Sequence, residues 1–126
     1  MTVVLDASAL LALVAHEPGW EAVDAVLDGA IMSAVNLAEA FAKLEERRYG
    51  LDRARTNVRA SGIEIVPFDE TAAFETAKLR PMTRRLGLSL GDRACLALAA
   101  ERKLPAVTTD RVWAKLDLGL DIRVLR

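Results

Sequence analysis

The fold is decided by one stretch of sequence, Val3-Val4-Leu5-Asp6-Ala7-Ser8-Ala9-Leu10-Leu11-Ala12-Leu13. Its first three residues are β-branched or aliphatic, which is typical of a short strand buried on both faces, and from Ser8 onward the apolar pattern is helical. Asp6 is therefore predicted to lie where the strand ends. Ligands of open α/β sheets bind in the crevice beyond the carboxyl ends of the strands, so this acid is a candidate for chemistry. The open alternative is that Asp6 or Ser8 caps the following helix.

The rest of the chain continues the alternation of strands and helices. Strands are predicted near residues 3–5, 30–32, 63–66, 106–108 and 122–124. Helices are predicted near residues 8–15, 20–27, 33–49, 51–60, 69–79, 89–102 and 110–116, with a basic connector of uncertain structure at 81–88. Because strands separated by helices imply right-handed crossovers, we expect an α/β fold with a mostly parallel central sheet of about five short strands and helices on both faces. No linker or repeat is visible, so residues 1–126 are predicted to form a single domain.

Composition limits the class of protein. A chain of 126 residues with 52% hydrophobic and 28% charged residues is expected to be an ordinary soluble globular domain. Its single cysteine, Cys95, lies in an apolar helical pattern and is expected to be a buried core residue. The first residues contain neither a basic segment nor a long apolar run, so no signal peptide or membrane span is predicted. We expect a cytoplasmic protein.

The charges are unevenly distributed, although the formal net charge is only −1. Residues 1–42 contain six acids and no lysine or arginine, whereas all seventeen basic residues follow. An acidic site beside basic surfaces would suit a ligand that contains phosphate. The alternative is that the basic residues coat solvated helix faces. The candidates for substrate contacts are the arginines nearest to the acids discussed next, namely Arg84, Arg85, Arg93 and Arg111.

Two further acids are predicted at the same edge of the sheet. Asp110 follows the strand near 106–108 as Asp6 follows the first strand, although it could equally cap the next helix. Asp92 follows Ser89 at the spacing of a capping box, although that box prefers Glu or Gln at this position. Helical spacing also places Asp92 on the side of its helix that should pack on the sheet. An acid at the start of that helix would point into the crevice.

For Glu39, spacing alone favours a surface position. Leu37 and Phe41 are predicted to form the core face of its helix, and Glu39 lies nearly opposite them. An ion pair with Lys43, one helical turn further on, is the simpler interpretation. The position of Glu39 in the second turn after a strand, among small alanines, favours a place in the site instead. Both interpretations stay open at this point.

Four segments together resemble the successive motifs of PIN-domain ribonucleases, and most of all those of the VapC toxins of bacterial and archaeal toxin–antitoxin pairs. The segments are Val4-Leu5-Asp6-Ala7-Ser8-Ala9-Leu10, Met32-Ser33-Ala34-Val35-Asn36-Leu37-Ala38-Glu39, Leu88-Ser89-Leu90-Gly91-Asp92-Arg93-Ala94 and Thr108-Thr109-Asp110-Arg111-Val112-Trp113. They occur in the family's order over essentially the whole chain. The resemblance implies an acidic site with supporting hydroxyls. The acids would be Asp6, Glu39, Asp92 and Asp110, and the hydroxyls those of Ser8 and Thr109.

Such a cluster of acids is poorly stable unless a cation or protons neutralise it. Carboxylates about 4 Å apart repel by roughly 4 kcal/mol per pair at an effective dielectric of about 20. Mg²⁺ or Mn²⁺ fits, because these ions take oxygen ligands and are usually held by a few carboxylates together with water and substrate phosphate. Zinc is not indicated, since His16 is the only histidine and is expected at the surface or as a cap. We expect metal-dependent hydrolysis of RNA phosphodiesters, with Asp6 and Asp92 as the principal ligands.

The resemblance also implies partners. The expected partners are an RNA substrate, a second copy of the chain in a homodimer, and a small VapB-like antitoxin whose tail lies in a hydrophobic groove. Ordinary core packing is the alternative for each residue of that groove. The candidate groove residues are Leu10, Leu11, Leu13, Val14, Trp20, Val23, Val26 and Leu27.

Two alternative functions stay open. A PIN domain can also serve in RNA processing or as an inactive scaffold outside a toxin–antitoxin system. A receiver-type phosphoacceptor domain likewise gathers acids around Mg²⁺ at strand ends. It needs adjacent acids after its first strand and a lysine after a late strand, whereas this chain has Asp6 alone and Thr108-Thr109-Asp110 at those places.

Overall fold

A computed structural model describes residues 2–126, and its centre is a five-stranded sheet. The strands are β1 (Val4–Leu5), β2 (Ile31–Ser33), β3 (Glu64–Val66), β4 (Ala106–Thr108) and β5 (Ile122–Val124). Their spatial order is β3-β2-β1-β4-β5, and each neighbouring pair is parallel. The predicted α/β fold with a parallel central sheet is confirmed.

Seven α-helices accompany these strands in the described part of the chain. They are α1 (Ala7–Ala15), α2 (Trp20–Ala25), α3 (Ala34–Glu46), α4 (Leu51–Ser61), α5 (Glu70–Lys78), α6 (Arg80–Thr83) and α7 (Leu90–Arg102). The basic connector consists of α6 and a 3₁₀ turn, Arg84–Leu86. Helix α3 ends earlier than predicted because Arg48 adopts a left-handed conformation with φ 60°. None of these helices is long and apolar enough to cross a membrane.

Both faces of the sheet are covered by helices. Val3 and Leu5 belong to one apolar core together with residues of α1, α3 and α4. Val4 belongs to a second core together with residues of α7, which include the buried free thiol of Cys95. This division follows from the alternation of side chains along a strand. It explains why the first strand reads as a continuous apolar run.

The strand order places a topological switch point between β1 and β4. The chain runs outward from β1 through β2 to β3 and then crosses back to β4, on the other side of β1. A ligand crevice forms outside the carboxyl ends of the strands at such a reversal. The same order excludes the receiver-type alternative, because a receiver sheet places its third strand beside the first, where this chain has β4.

Candidate active site

Asp6 lies at the end of β1 and also caps α1. Its Oδ1 accepts hydrogen bonds from the backbone N–H of Ala9 at 2.8 Å and from the Ser8 hydroxyl at 2.7 Å. Its Oδ2 accepts a hydrogen bond from the Thr108 hydroxyl at 2.5 Å. Only 2% of the residue is exposed. The Asp6 carboxylate therefore caps α1 and also lies at the end of β1, in the crevice. The two interpretations of Asp6 do not exclude each other.

The pKa of Asp6 shows that its charged form is poorly solvated. The pKa is raised from 3.8 to about 6 as the net result of burial and the charge of Asp92, which raise it, and three hydrogen bonds, which lower it. The loss of water is the largest of these effects. A cation near this carboxylate would stabilise its ionised form.

The end of β4 is tied to the same carboxylate. The Thr108 hydroxyl donates a hydrogen bond to Asp6, and its oxygen accepts a hydrogen bond from the backbone N–H of Asp110 at 3.0 Å. The Ser8 hydroxyl oxygen accepts the backbone N–H of Thr109 at 3.0 Å. Thr109 thus participates through its backbone, and the hydroxyl that contacts the acid is that of Thr108. Successive side chains of a strand point to opposite faces, so only one of the two threonines can face Asp6.

Asp110 occupies the matching position after β4. Its Oδ1 accepts the backbone N–H of Val112 at 3.0 Å and caps the 3₁₀ turn Arg111–Lys115. The residue is half-buried. Asp110, like Asp6, both caps the turn that follows it and lies at the edge of the sheet. The Thr108 hydroxyl forms hydrogen bonds with both residues.

Asp92 is held at the start of α7 by a complete capping box. The Ser89 hydroxyl accepts the backbone N–H of Asp92 at 3.1 Å, and Asp92 Oδ2 accepts the backbone N–H of Ser89 at 2.9 Å. Helix α7 contacts β1, β2 and β4. The cap fixes the Asp92 carboxylate at the crevice end of this helix, where its charge raises the pKa of Asp6. Both sequence interpretations of Asp92 are therefore realised together.

Glu39 approaches the same place from α3. Its carboxylate lies so close to Gly91 that a Cβ built on that glycine would be 1.6 Å from Oε1. Burial is the largest cause that raises the pKa of Glu39, followed by the charge of Asp92. Lys43 and a hydrogen bond with Ser89 lower the pKa by smaller amounts. The ion pair with Lys43 is thus not the main interaction of Glu39.

The prediction of the core face of α3 is wrong. The side of the helix that is buried is displaced from the predicted side by one residue position. The buried residues of the helix are Asn36, Ala40 and Leu44, whereas Leu37 and Phe41 are half-buried at the margin of the core. The cause is that α3 packs against α7 as well as α1, and Asn36 faces α7. This rotation turns Glu39 towards α7 instead of solvent.

Three of the four predicted acids are thus electrostatically coupled. Asp92 raises the pKa values of both Asp6 and Glu39. Burial raises the pKa of the Cys95 thiol well above its ordinary value, and the charges of all three acids raise it further. Asp110 joins them only through Thr108. Within residues 2–126, no three His, Cys, Asp or Glu side chains are grouped as ligands of one ion.

The order of these elements and acids is that of a known family. The family model of the PIN domain matches residues 3–118, which include β1 to β4 and all four acids. The chain belongs to the PIN domain family. No curated protein sequence matches this PIN domain.

Solved structures of toxin–antitoxin proteins share the fold of this PIN domain. VapBC2 from Rickettsia felis, bound to a DNA fragment from its promoter, has a TM-score of 0.72 and 16% identity over 100% of both chains. VapC20 from Mycobacterium tuberculosis, a toxin that cleaves the sarcin–ricin loop, has a TM-score of 0.72 and 15% identity over 89% of this chain and 92% of that chain. A toxin–antitoxin complex from Klebsiella pneumoniae has a TM-score of 0.70 and 17% identity over 98% of both chains. At these identities the likeness establishes a common fold.

The donor set of this PIN domain suits a hard divalent cation. All four candidate ligands offer carboxylate oxygens, which Mg²⁺ and Mn²⁺ prefer. A Mg²⁺ site commonly has only one or two protein carboxylates and completes its shell with water and phosphate, so a cluster of three is not required. Burial and mutual repulsion disfavour the ionised forms of Asp6 and Glu39, and a cation would offset both effects. The residues present therefore fit such an ion.

Arg93 does not fit its predicted role in substrate contacts. It is only 9% exposed, and its Nη1 donates to the carbonyl oxygen of Leu88 at 2.9 Å. The cause is that α5 packs against α7 and covers this side of the helix. The other three candidates, Arg84, Arg85 and Arg111, are exposed.

Seven of the eight candidate groove residues fall into two groups, and the eighth, Val26, is half-buried against the core. Leu10, Leu11 and Val23 are fully buried core residues. Four of the half-buried ones line a groove of about 380 Å³ between α1, α2 and α4, namely Leu13, Val14, Trp20 and Leu27. His16 ends α1 and stacks on Trp20 with ring centroids 4.1 Å apart, which confirms its expected place as a cap.

Sequence reasoning missed three residues at the site: Thr108, Asn36 and Gly91. For Thr108 the strand alternation was a usable signal, since only one of two consecutive threonines can face Asp6. For Gly91 the signal was a glycine inside a helix, which costs about 1 kcal/mol relative to alanine and often marks a close approach. Asn36 had no local signal, because its partner is 55 residues away.

Proposed function

We propose that this PIN domain is a Mg²⁺- or Mn²⁺-dependent endoribonuclease and the toxin of a type II toxin–antitoxin pair. The observation that carries this proposal is the convergence of Asp6, Glu39 and Asp92 at the switch point of a parallel sheet. Asp110 ends the adjoining strand. The fold shared with toxin–antitoxin proteins, one of which cleaves RNA of the sarcin–ricin loop, supports the toxin role and the RNA substrate.

Each acid has a proposed role. Asp6 and Asp92 are the principal metal ligands, and Glu39 and Asp110 act through water or a second ion. The Ser8 and Thr108 hydroxyls fix the direction of the Asp6 carboxylate.

The proposed reaction is hydrolysis by in-line attack. A divalent cation, when bound, lowers the pKa of water and offsets the charge that develops on the phosphate oxygens. One carboxylate of the site accepts a proton from the attacking water, whose oxygen forms a bond to phosphorus. The opposite P–O bond breaks, and the leaving oxygen takes up a proton to complete the second RNA end.

The substrate is proposed to be single-stranded or looped RNA. Sequence-specific RNA recognition targets single-stranded loops, bulges and ends, whose unstacked bases can be splayed out. We assign the phosphate contacts to three exposed arginines near the site acids in sequence. Arg84 and Arg85 precede Asp92, and Arg111 directly follows Asp110.

The proposed protein partners are a VapB-like antitoxin and a second copy of the chain, in the cytoplasm. The groove between α1, α2 and α4 is the proposed seat of the antitoxin tail. Co-expression with the product of the neighbouring reading frame should give a stable complex in size-exclusion chromatography. A monomer that never binds that product would contradict this part of the proposal.

The activity is tested by incubating the purified chain with total RNA and mapping the new ends. We expect defined cleavage sites with Mg²⁺ or Mn²⁺ and none with EDTA. The variant Asp6→Asn should fold and fail to cleave. Cleavage that survives in EDTA or in the variant would contradict the proposed chemistry.

A further inference from the structure

A buried hydrogen bond joins α3 to α7 next to the acids. Asn36 Nδ2 donates to the carbonyl oxygen of Gly91 at 2.9 Å, and Asn36 is only 1% exposed. Asn36 precedes Glu39 by less than one turn of α3, and Gly91 is adjacent to Asp92 in α7. The bond therefore sets the register between the two helices that carry Glu39 and Asp92.

Asparagine is a poor choice for this position if stability alone matters. Its Oδ1 is buried and has no hydrogen-bond partner among the described residues. A buried polar atom without a partner carries a free-energy penalty, because it loses its hydrogen bonds to water and gains none in the fold. Buried polar groups can instead fix the register of packed helices. Asn36 has the properties expected of such a register-setting group.

Gly91 provides room for the Glu39 carboxylate. A Cβ at Gly91 would lie 1.6 Å from Oε1, 2.3 Å from Cδ and 2.8 Å from Oε2 of Glu39. These distances are too short for any side chain to share the space. Alanine would be the better helix former at this position of α7, so the glycine is explained by the close approach and not by the helix.

We propose that Asn36 and Gly91 are positioning residues of the carboxylate site. Asn36 holds α3 in register with α7, and Gly91 leaves the space in which the Glu39 carboxylate lies beside Asp92. Neither residue is assigned a contact with substrate or cation. This assignment rests on the proposed function, because the site that they order is the proposed cation site.

The test measures the Mn²⁺ dissociation constant of the full chain by calorimetry, together with the melting temperature. We expect Gly91→Ala and Asn36→Leu each to weaken Mn²⁺ binding by about tenfold, as is usual for residues that orient metal ligands. Gly91→Ala should not lower the melting temperature, because alanine favours the helix. Asn36→Leu removes the buried hydrogen bond to the Gly91 carbonyl and should lower it slightly. In a Glu39→Ala background, neither substitution should weaken binding further, since the carboxylate that they position is absent.

Thr76→Val is the matched control. Thr76 is 1% exposed, lies in α5 against the other side of α7, and has a buried hydroxyl without a partner in the described chain. This variant should bind Mn²⁺ as the wild type does. The inference is overturned if Gly91→Ala and Asn36→Leu bind Mn²⁺ as tightly as the wild type while Glu39→Ala binds it more weakly. That result would leave the proposed function intact. If Glu39→Ala binds Mn²⁺ as well as the wild type does, the proposed role of Glu39 fails as well.

Discussion

Asp6 receives three hydrogen bonds and yet its pKa is raised to about 6. The hydrogen bonds from Ser8, Ala9 and Thr108 fix the direction of its carboxylate, whereas burial removes the water that would stabilise its charge. Burial therefore makes the ionised carboxylate less stable here than it would be in water. An acid retained at such a place is expected of a functional site, where stability is given up for activity.

At the residue scale, Asp6→Asn should change the pH dependence of stability. The folded-state pKa of about 6 lies above 3.8, so the folded chain retains a proton that the unfolded chain releases in this interval. The free energy of unfolding of the wild type therefore falls as the pH rises through this interval, and Asn has no such loss. The free energy of unfolding of Asp6→Asn, taken relative to that of the wild type, should therefore grow by on the order of 3 kcal/mol from about pH 4 to about pH 7.5. Urea denaturation at both pH values measures it.

The matched control for that variant is Asp69→Asn. Asp69 caps α5 from an exposed position, where its Oδ1 accepts the backbone N–H of Ala72 at 2.9 Å. This control replaces a helix-capping carboxylate that is exposed instead of buried. An equal effect in both variants would show that burial of Asp6 is not the cause.

Thr108 and Thr109 provide a second residue-scale prediction. Thr108→Val removes the hydroxyl that donates to Asp6 and accepts the backbone N–H of Asp110, so we expect a loss of about 1–3 kcal/mol and slower RNA cleavage. Thr109→Val keeps the backbone N–H that donates to Ser8 and should have a small effect on both. Urea denaturation and single-turnover cleavage rates compare the two. Equal effects, or a larger effect of Thr109→Val, would contradict the assignment.

At the scale of elements, the strand ends were predictable and the helix rotation was not. Asp6 and Asp110 are found by the change from a strand pattern to a helical one, which is a local property of the sequence. The rotation of α3 depends on the bond between Asn36 and Gly91, whose residues are 55 positions apart. Burial of Arg93 likewise depends on α5, which packs over it. Such long-range contacts leave no periodic signal in a single sequence.

The start of α7 carries a prediction about a cap that also serves the site. Ser89→Ala removes the hydroxyl that accepts the backbone N–H of Asp92 and interacts with Glu39. We expect it to destabilise the fold by about 0.5–2 kcal/mol and to weaken Mn²⁺ binding. Asp69→Ala removes the cap of α5 and should reduce stability similarly while Mn²⁺ binding stays unchanged. Equal Mn²⁺ affinities of the two variants would contradict a role of Ser89 in the site.

At the scale of the whole molecule, the strand order brings remote parts of the chain to one edge. Asp6 near the start and Thr108 near the end meet because β4 returns to lie beside β1. The alternation of strands and helices predicted the parallel sheet, but the order of its strands was left open by the sequence pattern.

The exposed arginines carry the whole-molecule prediction. Replacing Arg84 and Arg85 together by alanine should raise KM for RNA, flatten the salt dependence of binding and leave kcat nearly unchanged, because phosphate contacts supply affinity. A control variant removes the same charge from α4 by replacing the exposed Arg55 and Arg59. An equal rise of KM in the control would indicate a general effect of net charge.

The most direct measurement is anomalous X-ray diffraction from crystals grown with Mn²⁺. We predict an anomalous peak between the carboxylates of Asp6 and Asp92, and its loss in crystals of Asp6→Asn. A divalent-metal centre at the end of β1 would be contradicted if saturating Mn²⁺ gives no peak at these carboxylates. A peak that persists in Asp6→Asn would contradict it as well.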